Sequence, residues 1–357
     1  MTNASMDHAP LSLTDRLQPT IARIAAPLPE TSARAHLDSL TKPLGALGRL
    51  EDVAAQMATL GITQCRKAVY VFAADHGLAQ EGVSAYPPEV TRQMVLNFLG
   101  GGAAINVLAR QQGARLTIVD CGVAGELPRH QDLIARPVRK GSRNALHEAV
   151  MSAEELSDAL QLGLDCAADA AEYTVVAVGE MGIGNTSAAA LLTAALTGAD
   201  LAEVTGSGTG LDAVGRSRKL EILRAVLALH QPQLTTPLEI LRRLGGLEIA
   251  AMAGFMIGCA ANGALVRVDG FISTAAAAAA WALCPQLRPY LLAAHRSPEP
   301  GHARLLAYLG LAPLLDLQMR LGEGTGAVLA MPVVESALAL YGEMATFASA
   351  QVSEARA

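Results

Sequence analysis

Aromatic side chains and clustered basic residues are scarce in this chain of 357 residues. Aromatics make up 3% of the sequence, the formal net charge is −6, and no run of Lys or Arg occurs. Proteins that bind nucleic acid neutralise phosphates with Lys and Arg and stack bases on aromatic rings. The composition therefore argues against a nucleic-acid-binding protein. With 51% hydrophobic residues, the sequence is typical of a globular protein with a large core.

The sequence also lacks paired cysteines and a signal peptide. Its five cysteines stand far apart without a CxxC pair, and no basic region followed by an apolar stretch opens the chain. These features predict free thiols in a cytoplasmic protein whose residues 1–12 form a disordered tail.

One apolar stretch approaches the length of a membrane span. Residues 249–261, continued by 263–266, come close to the ~20 residues that cross a bilayer. The stretch is rich in Ala and Gly, and Glu248, Asn262 and Arg267 bound or interrupt it. We therefore expect a buried core helix. A membrane carrier built around 249–266 is the alternative.

Several common catalytic motifs are missing. The sequence has no HExxH, no cluster of His and Cys, and no GxSxG, so neither zinc hydrolysis nor a serine triad is indicated. The Gly-rich turn at 206–210 matches neither a P-loop nor the GxGxxG dinucleotide fingerprint. An ATPase and an ordinary dehydrogenase are thus disfavoured, and no metal or cofactor is expected.

Short apolar runs, each ending in a polar cluster and followed by helix-like sequence, recur along the chain. This pattern is typical of parallel strands buried on both faces. The runs are 68–74, 116–119, 174–178, 264–268 and 290–294, and the clusters after them begin at Asp75, Asp120, Gly179, Asp269 and His295. We predict a doubly wound α/β sheet whose polar residues gather at the carboxyl ends of the strands, where such sheets bind ligands.

Both ends of the chain show apolar residues at helical spacing. One such face covers 47–60 and the other covers 334–344, and we expect the two segments to pack together. The predicted division is a helical segment over 13–60, an α/β catalytic domain over 61–330, and a second helical segment over 331–357. The alanine run 275–280 predicts a closely packed helix.

The most informative segment is GEMGIGNTS at 179–187, which follows the third apolar run. A strand is predicted to end there in a turn that opens a helix. Free N–H groups at a helix start favour an anion, and Gly182 and Gly184 allow a phosphate to approach the backbone. Glu180 places an acid or base beside that phosphate.

A second Gly-rich turn, GSGTG at 206–210, is followed by Lys219. Backbone amides and a lysine together form a phosphate cradle if the chain folds back. Ser297, after another predicted strand, is a further candidate ligand. That each Gly-rich turn is only a tight connection remains an alternative.

Glu323 lies in the segment LGEGTG at 321–326, between glycines that leave its carboxylate little cover. A flat ligand can approach it closely. An apolar pocket would raise its pKa into the range of a general base. The alternative is a glutamate that satisfies the first turn of a helix.

The segment 75–93 offers groups suited to a neutral planar heterocycle. Ser84 supplies a hydroxyl, Tyr86 an aromatic face and Gln93 an amide on the second turn of a helix that Pro87 and Pro88 are expected to start. A single His76 after a strand is more typical of a structural role.

Taken together, five segments resemble the nicotinate-nucleotide:dimethylbenzimidazole phosphoribosyltransferase family. They are KPLGALGRLE (42–51), DHGLAQEGVSAYP (75–87), GEMGIGNTSAA (179–189), GSGTGLD (206–212) with Lys219, and LGEGTGA (321–327). The resemblance covers roughly residues 30–345. It implies that nicotinate mononucleotide and 5,6-dimethylbenzimidazole give α-ribazole 5′-phosphate and nicotinate, a step in assembling the lower ligand of cobalamin.

The resemblance also implies roles for individual residues. Glu323 matches the family's general base, and Glu180 matches a second acidic residue at the substrate. The candidates for the nucleotide phosphate and ribose are Gly184, Asn185, Thr186, Gly208, Lys219 and Ser297, and those for the benzimidazole are Ser84, Tyr86 and Gln93. A Rossmann-like large domain, a small helical domain, a homodimer and no metal are expected.

Two other functions remain open at this point. Residues 117–120 resemble the start of the signature of type I phosphoribosyltransferases, which use Mg²⁺ and phosphoribosyl pyrophosphate. Cys121 and Gly122 then depart from that signature, where a second acid and a Thr-Gly turn are expected. A nucleotide-binding protein without catalytic activity is the other alternative.

Overall fold

The computed structural model describes residues 13–208 and 210–353. Within them, six parallel strands form one sheet in the order β3-β2-β1-β4-β5-β6. The strands are β1 Lys67–Ala74, β2 Arg115–Gly122, β3 Leu133–Ala135, β4 Val175–Met181, β5 Leu265–Val268 and β6 Leu291–Ala293. The five predicted strands and the doubly wound α/β class are confirmed. The sequence pattern missed β3, because this edge strand has three residues and none of them is buried.

Sixteen α-helices surround the sheet in the described part of the chain. They are α1 Leu13–Ile21, α2 Glu30–Ser39, α3 Arg49–Thr59, α4 Val90–Leu99, α5 Ala104–Gln112, α6 Ala153–Asp169, α7 Asn185–Thr197, α8 Leu201–Val204, α9 Ala213–His230, α10 Pro237–Leu244, α11 Leu247–Ala261, α12 Phe271–Leu283, α13 Pro300–Leu309, α14 Thr325–Leu329, α15 Met331–Glu343 and α16 Phe347–Ala350. Short 3-10 helices cover Gly77–Glu81, Gln231–Gln233 and Pro285–Tyr290.

Helix α11 is the centre of the core on one face of the sheet, and its residues through Ala260 are buried. It packs backbone to backbone on α6: a Cβ on Gly163 would overlap the Ala251 carbonyl, and one on Gly254 would overlap the Leu160 carbonyl. The predicted buried helix is therefore confirmed, and burial inside the protein leaves no lipid-facing surface for a membrane span there. Alanines 275–280 of α12 are buried, as predicted.

Among the residues that the structure describes, one helical stretch passes a length and composition test for crossing a membrane. It is Thr325–Glu343, with a mean hydropathy of 1.4, and 44% of the tested window is buried inside the protein. Buried core helices pass the same test, so this stretch is weak evidence for a span.

The terminal helices meet at the amino ends of the strands. Leu37 of α2 and Val53 and Met57 of α3 form an apolar cluster with Val334 and Ala337 of α15. This is the packing of apolar faces that the helical spacing indicates. The predicted tail 1–12, and residues 354–357 of the last predicted segment, lie outside the described residues.

The chain reverses the direction of strand addition beside β1. From β1 the chain continues to β2 and β3 on one side, and it then returns to add β4, β5 and β6 on the other. The turns after β1 and β4 therefore diverge at the carboxyl edge of the sheet, where open α/β sheets bind ligands.

Candidate active site

A cleft of about 270 Å³ opens at the carboxyl ends of β4, β5 and β6. Six of the predicted site residues line it, namely Tyr86, Glu180, Asn185, Thr186, Gly208 and Ser297. Lys219 lies behind Thr186, and Glu323 follows Gly322 at the margin of the cleft. Two other cavities, of about 390 and 680 Å³, lie among the terminal helices, away from this edge of the sheet.

One end of the cleft is a polar cradle. Gly184, with φ +97°, is the N-cap of α7, so the first N–H groups of that helix point toward the cleft. Lys219 of α9 donates from Nζ to Thr186 Oγ1 at 2.9 Å. A Cβ on Gly208 would lie 2.8 Å from Thr186 Oγ1 and 3.3 Å from Lys219 Nζ, so glycine keeps this space open. The chain does fold back after 206–210, because Lys219 of α9, a helix capped by Asp212, returns to contact Thr186 beside Gly208.

The Lys219 ammonium is almost fully buried. Burial lowers its pKa to about 8, and the negative charge of Glu299 acts in the opposite direction. Glu299 also lines the cleft, and its Oε2 is buried without a hydrogen-bond partner among the described residues. An incoming dianion therefore meets a cation that a nearby carboxylate only partly neutralises.

The loop that carries Ser297 is fixed by a buried histidine. The Ser297 N–H donates to His302 Nδ1 at 2.9 Å, so His302 Nε2 carries the hydrogen and donates to Thr274 Oγ1 at 3.0 Å. Thr274 Oγ1 then donates to the Gly270 carbonyl at 2.6 Å. Burial lowers the pKa of His302 to about 4, so this chain of bonds keeps one orientation at neutral pH. Sequence reasoning missed both side chains.

Glu180 lies at the end of β4 and is buried. Asn185 Nδ2 donates to Glu180 Oε2. Burial raises the pKa of Glu180 to about 8, with further contributions from the negative charges of Glu248, Asp269 and Glu323, while the Asn185 hydrogen bond lowers it. The carboxyl is therefore mostly protonated at pH 7, and a nearby positive charge would favour its ionised form.

Glu323 has a left-handed backbone, with φ +63°, between Gly322 at +80° and Gly324 at +84°. Such a conformation costs a residue with a Cβ about 1–2 kcal/mol and is typical of functional sites. The loop lies directly on β4, because a Cβ on Gly179 would overlap the Glu323 carbonyl and one on Gly322 would overlap Glu180 Oε1. The two candidate catalytic glutamates are thus in adjoining backbone segments.

The Glu323 carboxyl is buried, and its Oε2 has no hydrogen-bond partner within the described ranges. Burial raises its pKa to about 7; a backbone hydrogen bond from Ile105 lowers it and the charge of Asp269 raises it. The alternative in which Glu323 caps its own helix does not hold, because Asp269 accepts from the N–H groups at the start of α14.

Asp269, at the end of β5, holds this loop. Its Oδ2 accepts from the Gly324 N–H at 3.2 Å and its Oδ1 from the Ala327 N–H at 2.8 Å. His295 Nε2 lies 3.6 Å from Oδ1. Burial raises the pKa of Asp269, and His295 and the backbone N–H groups act against that shift. Asp269 is therefore a positioning residue for Glu323 that sequence analysis placed in a polar cluster without assigning it a role.

His76 is a buried structural residue below the turn that follows β4. Its Nε2 lies 2.7 Å from Glu248 Oε1. Burial lowers the pKa of His76, but the Glu248 carboxylate outweighs it and the net shift is upward. The ring packs against Gly182 and Gly246, and the Cβ of His76 lies beside Gly184. The structural interpretation of His76 agrees with these contacts.

The three residues predicted to bind the heterocycle are not all brought together. Tyr86 lines the cleft and is 54% exposed. Its N–H donates to Ser84 Oγ at 3.2 Å. Gln93 is exposed on α4, which begins at Val90 rather than at the two prolines, and neither Gln93 nor Ser84 lines the cleft. Apolar Met181, which sequence reasoning did not select, lines it instead.

The described residues contain no group of three or more His, Cys, Asp or Glu side chains arranged to hold a metal ion.

Comparisons with known proteins agree with this fold and identify the family. A family model described as Phosphoribosyltransferase matches residues 26–352. The curated nicotinate-nucleotide--dimethylbenzimidazole phosphoribosyltransferase of Roseiflexus sp. (strain RS-1) is 51% identical over 348 residues, covering 94% of this chain and 98% of that protein. The protein of the same name from Geobacter metallireducens is 47% identical over 330 residues, covering 91% and 94%. A crystal structure of the protein of that name from Thermus thermophilus matches with a TM-score of 0.87 and 47% identity, covering 91% of this chain and 98% of that chain.

The sheet, the cleft and these matches define an enzyme of the phosphoribosyltransferase class. Identity near 50% over almost the whole chain makes the assignment more specific. The chain belongs to the nicotinate-nucleotide:dimethylbenzimidazole phosphoribosyltransferase family, and the predicted family is confirmed.

Proposed function

We propose that this enzyme transfers the phosphoribosyl group of nicotinate mononucleotide to 5,6-dimethylbenzimidazole. The products are α-ribazole 5′-phosphate and nicotinate. One observation carries the proposal: two buried carboxyls, with pKa values of about 8 for Glu180 and 7 for Glu323, adjoin a cleft whose other end holds Lys219 and Thr186. A phosphate and a reacting heterocycle each meet suitable chemistry there.

Glu323 is the proposed general base. The bond from ribose C1′ to the pyridinium nitrogen breaks, and its electron pair leaves with neutral pyridine nitrogen, so the leaving group needs no proton. A bond forms between C1′ and one benzimidazole nitrogen, and the proton of the other ring nitrogen passes to Glu323. A pKa of about 7 suits a base that works near neutral pH. Attack opposite nicotinate inverts C1′ and gives the α-linked product.

Glu180 is the proposed electrostatic partner of the ribose. When C1′ and the ring oxygen become electron-poor in the transition state, an ionised carboxyl at the end of β4 stabilises the developing positive charge. The Asn185 amide, which donates to Glu180, keeps that carboxyl oriented.

The proposed phosphate site consists of the α7 N-terminus at Gly184 and Asn185, the hydroxyls of Thr186 and Ser297, the backbone at Gly208 and the Lys219 ammonium. The cradle geometry supports it, because Lys219 Nζ and Thr186 Oγ1 share a hydrogen bond beside Gly208. For the benzimidazole we propose Tyr86, with Ser84 behind it; Gln93 requires a movement of α4 or another chain to contribute.

We also propose a cytoplasmic homodimer without a metal or cofactor. In this proposal 61–330 form the catalytic domain, and 13–60 and 331–357 form the small helical domain. The apolar cluster shared by α2, α3 and α15 supports the pairing of the terminal segments.

The anomeric configuration of the product tests the proposed chemistry. Purified enzyme is incubated with both substrates. NMR of the isolated nucleotide gives its anomeric configuration, and the amount of nucleotide formed is compared with the amount of nicotinate released. We expect α-ribazole 5′-phosphate alone, a strong loss of product in Glu323→Gln, and no loss in the control Glu343→Gln, whose side chain is exposed. A β-linked product would contradict direct displacement.

A further inference from the structure

The charges that line the cleft are unevenly distributed. Glu180 and Glu299 contribute carboxyl groups, and among the described lining residues Arg320 is the one Arg or Lys side chain. Lys219 lies behind Thr186 at the phosphate end. The substrate of the proposed function, on which this inference rests, carries a second anionic group on its pyridine ring. A carboxylate next to Glu180 or Glu299 would be repelled unless a cation faces it.

Arg320 stands at the end of the cleft that bears the loop of Glu323. Leu321 and Gly322 line the cleft immediately after it, and Gly322 abuts the Glu180 carboxyl. This is the region in which the two bases must exchange at C1′. In the proposed phosphate site, Thr186, Gly208 and Lys219 bind the phosphate, so Arg320 is not required at the phosphate end of the cleft.

The Arg320 side chain is exposed at the rim, and no carboxylate among the described side chains pairs with it. The neighbouring Arg296 differs, since its Nε lies 3.8 Å from Asp316 Oδ2 and it does not line the cleft. A planar guanidinium binds a carboxylate through two parallel hydrogen bonds, and it also stacks on aromatic rings. Both properties match an aromatic carboxylate.

We propose that Arg320 binds the carboxylate of the nicotinate ring and thereby makes the enzyme select a pyridine carboxylate nucleotide over the corresponding carboxamide. The contact is made both to the bound nucleotide and to the departing nicotinate. It therefore acts mainly on KM for the nucleotide and on product affinity, and little on kcat.

The test compares nicotinate mononucleotide with nicotinamide mononucleotide. For Arg320→Gln we expect kcat/KM to fall about 10- to 100-fold with the carboxylate nucleotide, the range of a charge-assisted bidentate contact, and to stay unchanged with the carboxamide. Arg320→Lys should recover part of the loss. The control Arg296→Gln should behave as wild type with both. An equal loss on both nucleotides would overturn the proposal, because it would indicate a phosphate contact or a folding defect.

Calorimetry with nicotinate and nicotinamide as probes separates this inference from the proposed function. Wild-type protein should bind nicotinate more tightly than nicotinamide, and Arg320→Gln should bind both equally. Wild type that binds both alike would overturn the inference even if turnover is normal. Selective binding without product from any benzimidazole would retain it and refute the proposed function.

Discussion

Replacing Asp269 by Asn should separate the position of Glu323 from the stability of the fold. The Asp269 carboxylate accepts the N–H groups of Gly324 and Ala327, at 3.2 and 2.8 Å, and is buried. An Asn side chain keeps one acceptor oxygen and presents its NH₂ group to the other N–H. Hydrogen bonds to a charged group contribute about 1.5–3 kcal/mol each, so losing one and adding a donor clash destabilises the loop by roughly 2–4 kcal/mol.

If this loss of free energy displaces Glu323 from its catalytic position, kcat should decrease on the order of 10²-fold. The charge itself has a second effect. Because Asp269 raises the pKa values of both Glu323 and Glu180, its neutralisation should shift the acid limb of kcat/KM to lower pH. The measurement is a pH profile of kcat/KM, with circular dichroism melts of each variant.

Asp120→Asn is the matched control. Asp120 is a buried aspartate at the end of β2, and its Oδ1 accepts the N–H groups of Gly122 and Val123 at 3.0 and 2.8 Å. The pKa of Glu323 is shifted by burial, Ile105 and Asp269, not by Asp120. This variant should keep the wild-type acid limb. A folded Asp269→Asn enzyme with normal kcat and an unshifted acid limb would show that Asp269 neither positions Glu323 nor raises its pKa.

The same contacts govern the pH profile, the backbone of Glu323 and the thermal stability. The profile of kcat/KM should be bell-shaped. It should rise on the acid side as Glu323 and Glu180, with pKa values of about 7 and 8, ionise, and fall on the alkaline side as buried Lys219 loses its proton; Lys219→Arg should remove the alkaline limb. Gly179→Ala should lower kcat by displacing the Glu323 backbone, whereas Gly342→Ala, whose Cβ meets nothing within 4 Å, should not. Burial raises the pKa of Glu180 to about 8, so the contribution of the protonated carboxyl to stability is complete below about pH 4.5 and is lost as the pH rises through 8. The Tm of Glu180→Gln minus that of wild type, taken from melting curves, should therefore increase by at least about 2 °C from pH 5 to pH 9. A Tm difference that stays constant over this range would contradict the prediction.

The sheet was predictable because parallel strands buried on both faces appear in sequence as short apolar runs. β1 and β4 are buried almost throughout, and their polar ends mark the carboxyl edge. β3 does not have this signature, because an edge strand needs only one neighbour and its three residues stay partly exposed. Helix starts were less certain: the two prolines predicted to begin α4 form a preceding turn, and the helix begins at Val90.

The candidate site was predictable where its geometry follows from local backbone requirements. Gly184, Gly208 and the glycines around Glu323 adopt positive φ or allow close contacts that a side chain would block. Asp269 and His302 could not be assigned in this way, because their roles come from hydrogen bonds to residues far away in sequence. Their only local signal is a polar side chain after a strand or within a helix. The direction in which Gln93 points was likewise outside what residue type can indicate.

In the proposed reaction Glu323 takes the proton from the attacking benzimidazole, and no metal is needed. To test this directly, purified protein is incubated with nicotinate mononucleotide and 5,6-dimethylbenzimidazole in EDTA, and the formation of α-ribazole 5′-phosphate and nicotinate is followed by chromatography. We predict equal amounts of both products from wild type and a rate about 10²–10⁴-fold lower from Glu323→Gln. Loss of activity in EDTA would show that a metal is needed, and a Glu323→Gln enzyme as fast as wild type would show that Glu323 is not the general base.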